Sequence, residues 1–389
     1  MRWLLPLCFL SACGVQGPVG VGGGAGGGGV FPSGGGDGTT GGGSGVVITG
    51  GGDGTSGGGT GTTGGGDGTT GGGSAVTGGG TGIAVDAGPS PLNWALMSIT
   101  GASTSGAIIG LGGTHNDVWA LQDNGAVFHS TGAAFNKVLQ FGYSNAFYAS
   151  GSTVAIVQNR TILTCTGDCE DGGAYSNLQL LDGGWNYFGE TVCGDGPNHV
   201  VVVATDTSND AVLFDWNGSS WSHTNSIGLS YPRSCWFDRN GGLYVSGEGG
   251  MVFLEQGAST PFSLGENGNY IYGGVTMDDS TTWAVGSYQF VARGSGTNFT
   301  QVPTSGASPS FRAAGGLQSD EVFLLGFYTT TNAIGSGYVW NGTQLKKVGD
   351  TLPNMRNGSM VYSILPTASN ELFIGGSDGN GPTILRGRR

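Results

Sequence analysis

Cys165, Cys169, Cys193 and Cys235 are the residues whose number and spacing most directly imply chemistry. An even set of cysteines in an exported chain forms disulfides. The Cys-x3-Cys spacing and the 42-residue separation of the other two match no familiar zinc module. Gly375-Gly376-Ser377-Asp378-Gly379 has the spacing of a serine nucleophile elbow, which needs a helix after the serine and a histidine later in the chain. Here Asn380-Gly381-Pro382 follows, and His115, His129, His199 and His223 all come earlier, so the segment reads as a turn. No histidine pair has the helical spacing of metal ligands, and no lysine sits in a phosphate loop. His129 falls within a strand pattern, and His115 and His199 stand beside strand starts, which are structural positions. No catalytic residue, metal site or cofactor is assigned.

Two further groups carry weaker signals. Asp168-Cys169-Glu170-Asp171 and Asp206-Thr207-Ser208-Asn209-Asp210 offer the hard oxygen ligands that calcium prefers, but lack the glycine and distal glutamate of a calcium loop. They read as solvated loops. Trp185, Tyr187, Trp216 and Trp221 have rings that could stack on sugars, yet they recur at equivalent places in a repeat, which favours packing between strands.

The chain's first residues say where these groups reside. Arg2 precedes a short apolar run, Trp3 to Leu10, then Ser11-Ala12 and Cys13, the order of a secretory leader. The run is far below the ~20 residues that span a bilayer. Leu10-Ser11-Ala12-Cys13 resembles the bacterial lipobox, and that resemblance implies cleavage before Cys13 and lipid on its sulfur, the chain's link to a membrane. Gly14 stands where an Asp would imply inner-membrane retention, so the resemblance points to the outer membrane. With 13 Lys and Arg against 26 Asp and Glu the net charge is −13. Such a surface repels phosphate backbones, and no basic cluster interrupts it except Arg386-Gly387-Arg388-Arg389, which argues against nucleic acid.

Residues 1–12 are thus read as the leader, 13–90 as a lipidated cysteine with a linker, and 91–389 as the folded domain. From Gly14 to Gly88 about half the residues are glycine, with degenerate units such as Gly36-Asp37-Gly38-Thr39 and Gly66-Asp67-Gly68-Thr69. Glycine loses the most backbone entropy on ordering, and nothing there is apolar enough to compensate, so a disordered linker is expected. Its root-mean-square span as a flexible coil is roughly 45 to 50 Å.

After Pro91 the chain breaks into short apolar runs bounded by Gly, Asn, Asp and Ser, an all-β pattern. One run recurs, aligned on Trp119, Ala155, Val201, Tyr244, Trp283, Phe323 and Phe373, with steps of 36, 46, 43, 39, 40 and 50 residues. A period near ~40 with several strands per unit marks a β-propeller, here of seven blades. A two-sheet sandwich is the alternative. Further strands follow in each unit, such as Ala126 to His129, Val212 to Asp215 and Tyr338 to Trp340. Then come aromatic-led last strands at Phe135, Trp185, Trp221 and Phe299. The seventh unit ends after Thr383-Ile384-Leu385 without a last strand, and Asn93 to Met97 has the pattern to supply it. In this register Cys193 and Cys235 occupy equivalent inner strands of neighbouring blades and form one pair, leaving Cys165 with Cys169.

The Asp117-Val118-Trp119-Ala120 run, followed by a glycine and the Val127-Phe128 strand, resembles bacterial extracytoplasmic propellers of the kelch-like and photosystem-assembly-factor-like groups. The resemblance is loose, lacks Trp-Asp dipeptides, and implies the fold without any functional residue. Two function classes follow. The first is an anchored, monomeric binding or scaffold module for a protein, peptide or glycan. The second is an extracytoplasmic lyase or glycoside hydrolase with acidic and basic groups converging at the channel mouth.

Overall fold

The computed structural model describes residues 91–182, 185–264, 270–304, 310–326, 337–347, 352 and 359–389. The expectations for residues 1–90, namely the leader, Cys13 and the glycine-rich linker, lie outside them. Residues 91–389 form a seven-bladed β-propeller of antiparallel sheets.

Blade 1 runs outward through Ile108–Thr114, Asp117–Gln122, Ala126–Ser130 and Ala134–Gln140. Blades 2 and 3 open with inner strands Ala146–Ser150 and Phe188–Gly196. Those of blades 4 to 7 are Ser234–Phe237, Ile271–Thr276, Phe311–Gln318 and Met360–Ala368. The seven positions aligned in the sequence, Trp119 through Phe373, all fall on second strands. These strands are apolar on both faces because each is covered by a neighbouring blade. Trp119 and Leu121 pack on Phe147, Val154 and Ile156 of blade 2, and Val201 and Val203 on Leu243 and Val245 of blade 4. A run buried on both sides shows no alternation, which is why these strands read as continuous apolar stretches.

The ring closes as the sequence predicts. Asn93–Leu96 pairs antiparallel with Pro382–Arg388, placing Trp94 opposite Gly387, and so becomes the outer strand of blade 7. Met97 is buried and its N–H donates to Ile384 O at 2.9 Å. The segment then continues beyond its expected end: Ser98–Thr100 pairs in parallel with Ala134–Gln140, giving blade 1 a fifth strand. One stretch of chain therefore stitches both sides of the seam, and closure removes the open edges that isolated sheets would leave. Phe135 and Phe373 meet edge to face across it, with centroids 6.2 Å apart.

One strand assignment needs correction. Trp185 does not begin the last strand of blade 2, a place taken by Ser176–Gln179. It lies in a separate two-stranded hairpin, Asp182 opposite Trp185, inserted before blade 3.

Candidate functional site

Each inner strand pairs on one side only, with its own second strand, so seven free strand edges surround the central channel. At the end where the inner strands begin, a cavity of about 400 Å³ is lined by residues from all seven blades. Its chemistry-bearing groups are Glu190 of blade 3, Arg233 beside the start of blade 4, Tyr272 of blade 5, Arg312 of blade 6 and Tyr362 of blade 7. All five stand eleven positions before the aligned second-strand residue of their own blade. In blades 3 to 7 the repeat thus delivers one side chain per blade to the same level of the channel, whereas the same offset in blades 1 and 2 falls on Ile108 and Ser144, which are buried and do not line the cavity. Sequence reading missed them because it tracked the apolar positions of the repeat and not the variable position at fixed offset.

The groups are electrostatically coupled. Arg233 Nη1 lies 3.9 Å from a Glu190 oxygen, and its guanidinium sits 5.1 Å over the Tyr270 ring. Arg312 stacks on Tyr272 at 3.9 Å, and Tyr270 and Tyr272 are themselves stacked with centroids 6.0 Å apart. An Arg–Tyr–Tyr–Arg column results, each guanidinium held against a ring face. Burial pushes the Glu190 carboxyl above its usual range, against the opposing pull of Arg233 and a Thr205 hydrogen bond. Partial desolvation at the cavity wall likewise raises the Tyr362 phenol, against the opposing charge of Arg312. Among the described residues Arg312 has no carboxylate partner.

The same face carries the exposed aromatics of the described residues. Inner-strand starts pair with second-strand ends, as in Ile271 with Gly286, so the second-to-third turns surround the mouth. Among the described residues the exposed large apolar side chains are Leu96, Tyr143, Phe188, Tyr231, Tyr288 and Tyr362. All but Leu96 stand on inner-strand starts or on the loops beside them. Tyr288 is 82 % exposed. Tyr231 and Tyr288 have φ of 50° and 51°, a left-handed conformation uncommon for a bulky residue and a pointer to function.

The residues singled out by the sequence lie elsewhere, with one exception. Cys193 and Cys235 are bonded with Cα atoms 5.7 Å apart, joining the inner strands of blades 3 and 4, and Cys235 lines the mouth. Cys165 and Cys169 close a second, local disulfide. Ser377 ends a strand, and Asp378 Oδ1 accepts from the Asn380 and Gly381 N–H groups to form a hairpin turn. His129 stacks on Trp119 with centroids 4.2 Å apart and bridges Asp117 and Glu170. His115 pairs with Glu371 at 2.7 Å, His199 with Asp195 at 2.9 Å, and His223 packs on Tyr187 and Phe214.

The acidic loops hold themselves: Asp206 Oδ1 accepts from the Ser208 and Asp210 N–H groups, Asp168 from that of Glu170, and Asp171 from that of Gly173. Among the described residues no group of three His, Cys, Asp or Glu side chains could hold a metal. Trp216 and Trp221 lie 5.5 Å apart within blade 3. The basic tail is consumed by the closing blade: Arg386 and Arg388 both donate to Glu371 Oε1, and Arg389 donates to Glu321.

No family model and no curated protein matches the chain. Solved structures do, at the level of fold. The chain is similar to YCF48 bound to D1 peptide, with 16 % identity, a TM-score of 0.58, and 77 % of this chain and 98 % of that one covered. It is similar to the extracellular domain of the putative hybrid two component system BT4673 from B. thetaiotaomicron, with 10 % identity and a TM-score of 0.57, covering 75 % of this chain and 39 % of that one. The WD40 β-propeller domain of Doa1 matches with 12 % identity and a TM-score of 0.56, covering 77 % of this chain and 97 % of that one. Among the described residues no helix is long and apolar enough to cross a membrane.

Proposed function

We propose that the chain is a lipid-anchored extracytoplasmic binding module that engages a peptide or protein segment at the channel mouth. One observation carries the proposal: the exposed aromatics, Arg233 and Arg312 gather on one face. Tyr and Arg are enriched among the residues that carry binding energy at protein interfaces, because they bury large area and keep a polar handle. The free inner-strand edges add backbone donors and acceptors that an extended peptide can meet. YCF48, a propeller of similar fold, is solved with a peptide bound.

The anchor rests on Leu10-Ser11-Ala12-Cys13, and the division into leader 1–12, lipidated linker 13–90 and propeller 91–389 goes with it. The Gly14 that follows supports the outer membrane, and the tether then lets the domain sample a span of roughly 45 to 50 Å. The enzymatic alternative draws on Glu190, a half-buried carboxyl beside the Arg233 guanidinium. Glycoside hydrolysis by a carboxylate pair needs a second carboxyl within about 5 to 10 Å, and among the described residues Glu190 is the one carboxylate lining the cavity.

The mature protein, presented in parallel to a peptide array and a glycan array, tests the proposal. Binding to peptides that is lost in the Tyr231→Ala, Tyr288→Ala double variant supports it. Binding to glycans alone overturns it in favour of the lectin-like alternative. Cys13→Ala tests the anchor, with release from the membrane fraction expected and retention after a high-salt wash contradicting it.

A further inference from the structure

We infer that the mouth receives the carboxylate of an Asp or Glu side chain, carried on an extended peptide that crosses the channel, with Arg312 as its ligand. The inference deepens the peptide-binding reading and rests on it. The chain carries 26 acidic residues against 13 basic ones, and although Lys137 and Arg160, like Arg312, form no ion pair with a carboxylate among the described residues, Arg312 is the one of these that lines the mouth. Arg233 has Glu190, the tail arginines have Glu371 and Glu321, and Arg239 has Asp278. Arg312 has Tyr272 under its face at 3.9 Å and no carboxylate among the described residues. Stacking on a ring engages the face of a guanidinium and leaves its in-plane N–H groups to donate. A carboxylate accepts from two such groups at once, a geometry that favours Arg wherever this anion is recognised. Tyr362, whose phenol feels the Arg312 charge, lines the same cavity and offers a hydroxyl. Glu190, kept beside Arg233, would repel a second acid on that side and directs it to Arg312.

The aromatics select an internal segment over a chain end. Tyr143 and Tyr362 stand by blades 1, 2 and 7, whereas Tyr231 and Tyr288 stand by blades 4 and 5, across the ring. A segment that touches both sets passes over the mouth and lowers one side chain into it. Such a peptide would read as an acidic residue flanked on both sides by apolar or aromatic ones.

An array of random peptides tests this, each synthesised also with Asp and Glu replaced by Asn and Gln, and separately with an amidated carboxy terminus. For wild-type protein the acid-to-amide exchange should weaken binding about ten- to a hundredfold, the size of a lost charge-assisted hydrogen bond. In Arg312→Gln that difference should vanish, in Arg312→Lys it should shrink, and in Arg239→Gln, at the opposite end of the channel, it should persist. Melting curves of the variants confirm folding. If the amide peptides bind wild type equally well, the carboxylate assignment is wrong while peptide binding stands. If amidation of the terminus alone abolishes binding, the crossing segment is wrong. If no peptide binds but glycans do, both the inference and the reading beneath it fail.

Discussion

Trp94 lies so closely over Gly387 that a methyl group placed on the glycine would meet the indole at 2.9 Å. The two residues are partners in the register that joins the amino-terminal strand to the last strand of the chain, and the ring also meets Phe323 of blade 6 edge to face at 5.9 Å. Deleting residues 14–88 should leave the melting temperature nearly unchanged, while deleting 14–98 should lower it steeply by stripping the outer strand of blade 7, the buried Met97 and the first residue of the fifth strand of blade 1. Trp94→Ala should cost about 2 kcal/mol, less than the ~3 to 5 of a fully buried ring, because the indole is only partly buried. Gly387→Ala should be destabilising despite being conservative in volume, since the ring must shift. Equal melting temperatures for the two truncations would contradict the closure.

Glu371, with 1 % of its side chain exposed, receives Arg386, Arg388, His115 and Thr367. Burial alone would raise its carboxyl, but the hydrogen bonds from Thr367, Arg388 and His115 outweigh burial and hold it below the usual range. Because the folded value lies below the unfolded one, this carboxylate stabilises the fold above the unfolded value near ~4.3. That contribution fades as pH falls through the lower, folded value. Glu371→Gln should cost about 3 to 5 kcal/mol near neutrality by leaving Arg386 buried without its anion. It should also flatten the acid limb of a stability–pH curve measured by urea unfolding. A parallel downward shift of the curve at all pH values would contradict the assignment.

The disulfide between Cys193 and Cys235 spans 42 residues and ties neighbouring inner strands. A Cys193→Ser, Cys235→Ser variant should lose roughly 2 to 4 kcal/mol, mainly through a less restricted unfolded chain. A non-reduced digest should show that linkage, and a Cys165 to Cys193 peptide would contradict the blade register.

Much of this architecture was legible before any coordinates. The period carried by Trp119 through Phe373 survives because second strands are buried on both faces and tolerate little but apolar residues. The Cys193–Cys235 pair and the Asn93–Leu96 closure follow once that period is set. The mouth was not legible in the same way. Glu190, Arg233, Tyr272, Arg312 and Tyr362 differ in type from blade to blade, and only their common offset of eleven residues unites them. A position that varies in chemistry at constant spacing has the pattern expected of a binding surface on a rigid scaffold. The fifth strand of blade 1 escaped for another reason: three residues, Ser98–Thr100, hold no periodic signal.

Tyr288 and Gln289 occupy consecutive left-handed positions, with φ of 51° and 65°. Tyr288→Gly should raise stability by about 0.5 to 1 kcal/mol, the relief of a left-handed side chain less the added freedom of the unfolded chain. The same change should weaken ligand binding at the mouth. A destabilised variant with intact binding would remove the functional reading of this loop.

Site-specific photo-crosslinking in the intact cell envelope tests the binding face most directly. A benzophenone side chain replaces Tyr231 or Tyr288 at the mouth, and in separate variants Gln256 or Ser280 in turns at the opposite end of the blades. Discrete adducts from Tyr231 and Tyr288, absent from Gln256 and Ser280 and lost with Arg312→Gln, are the predicted result. Adducts from Gln256 and Ser280 alone, or equally from both ends, would contradict the assignment of the channel mouth as the site.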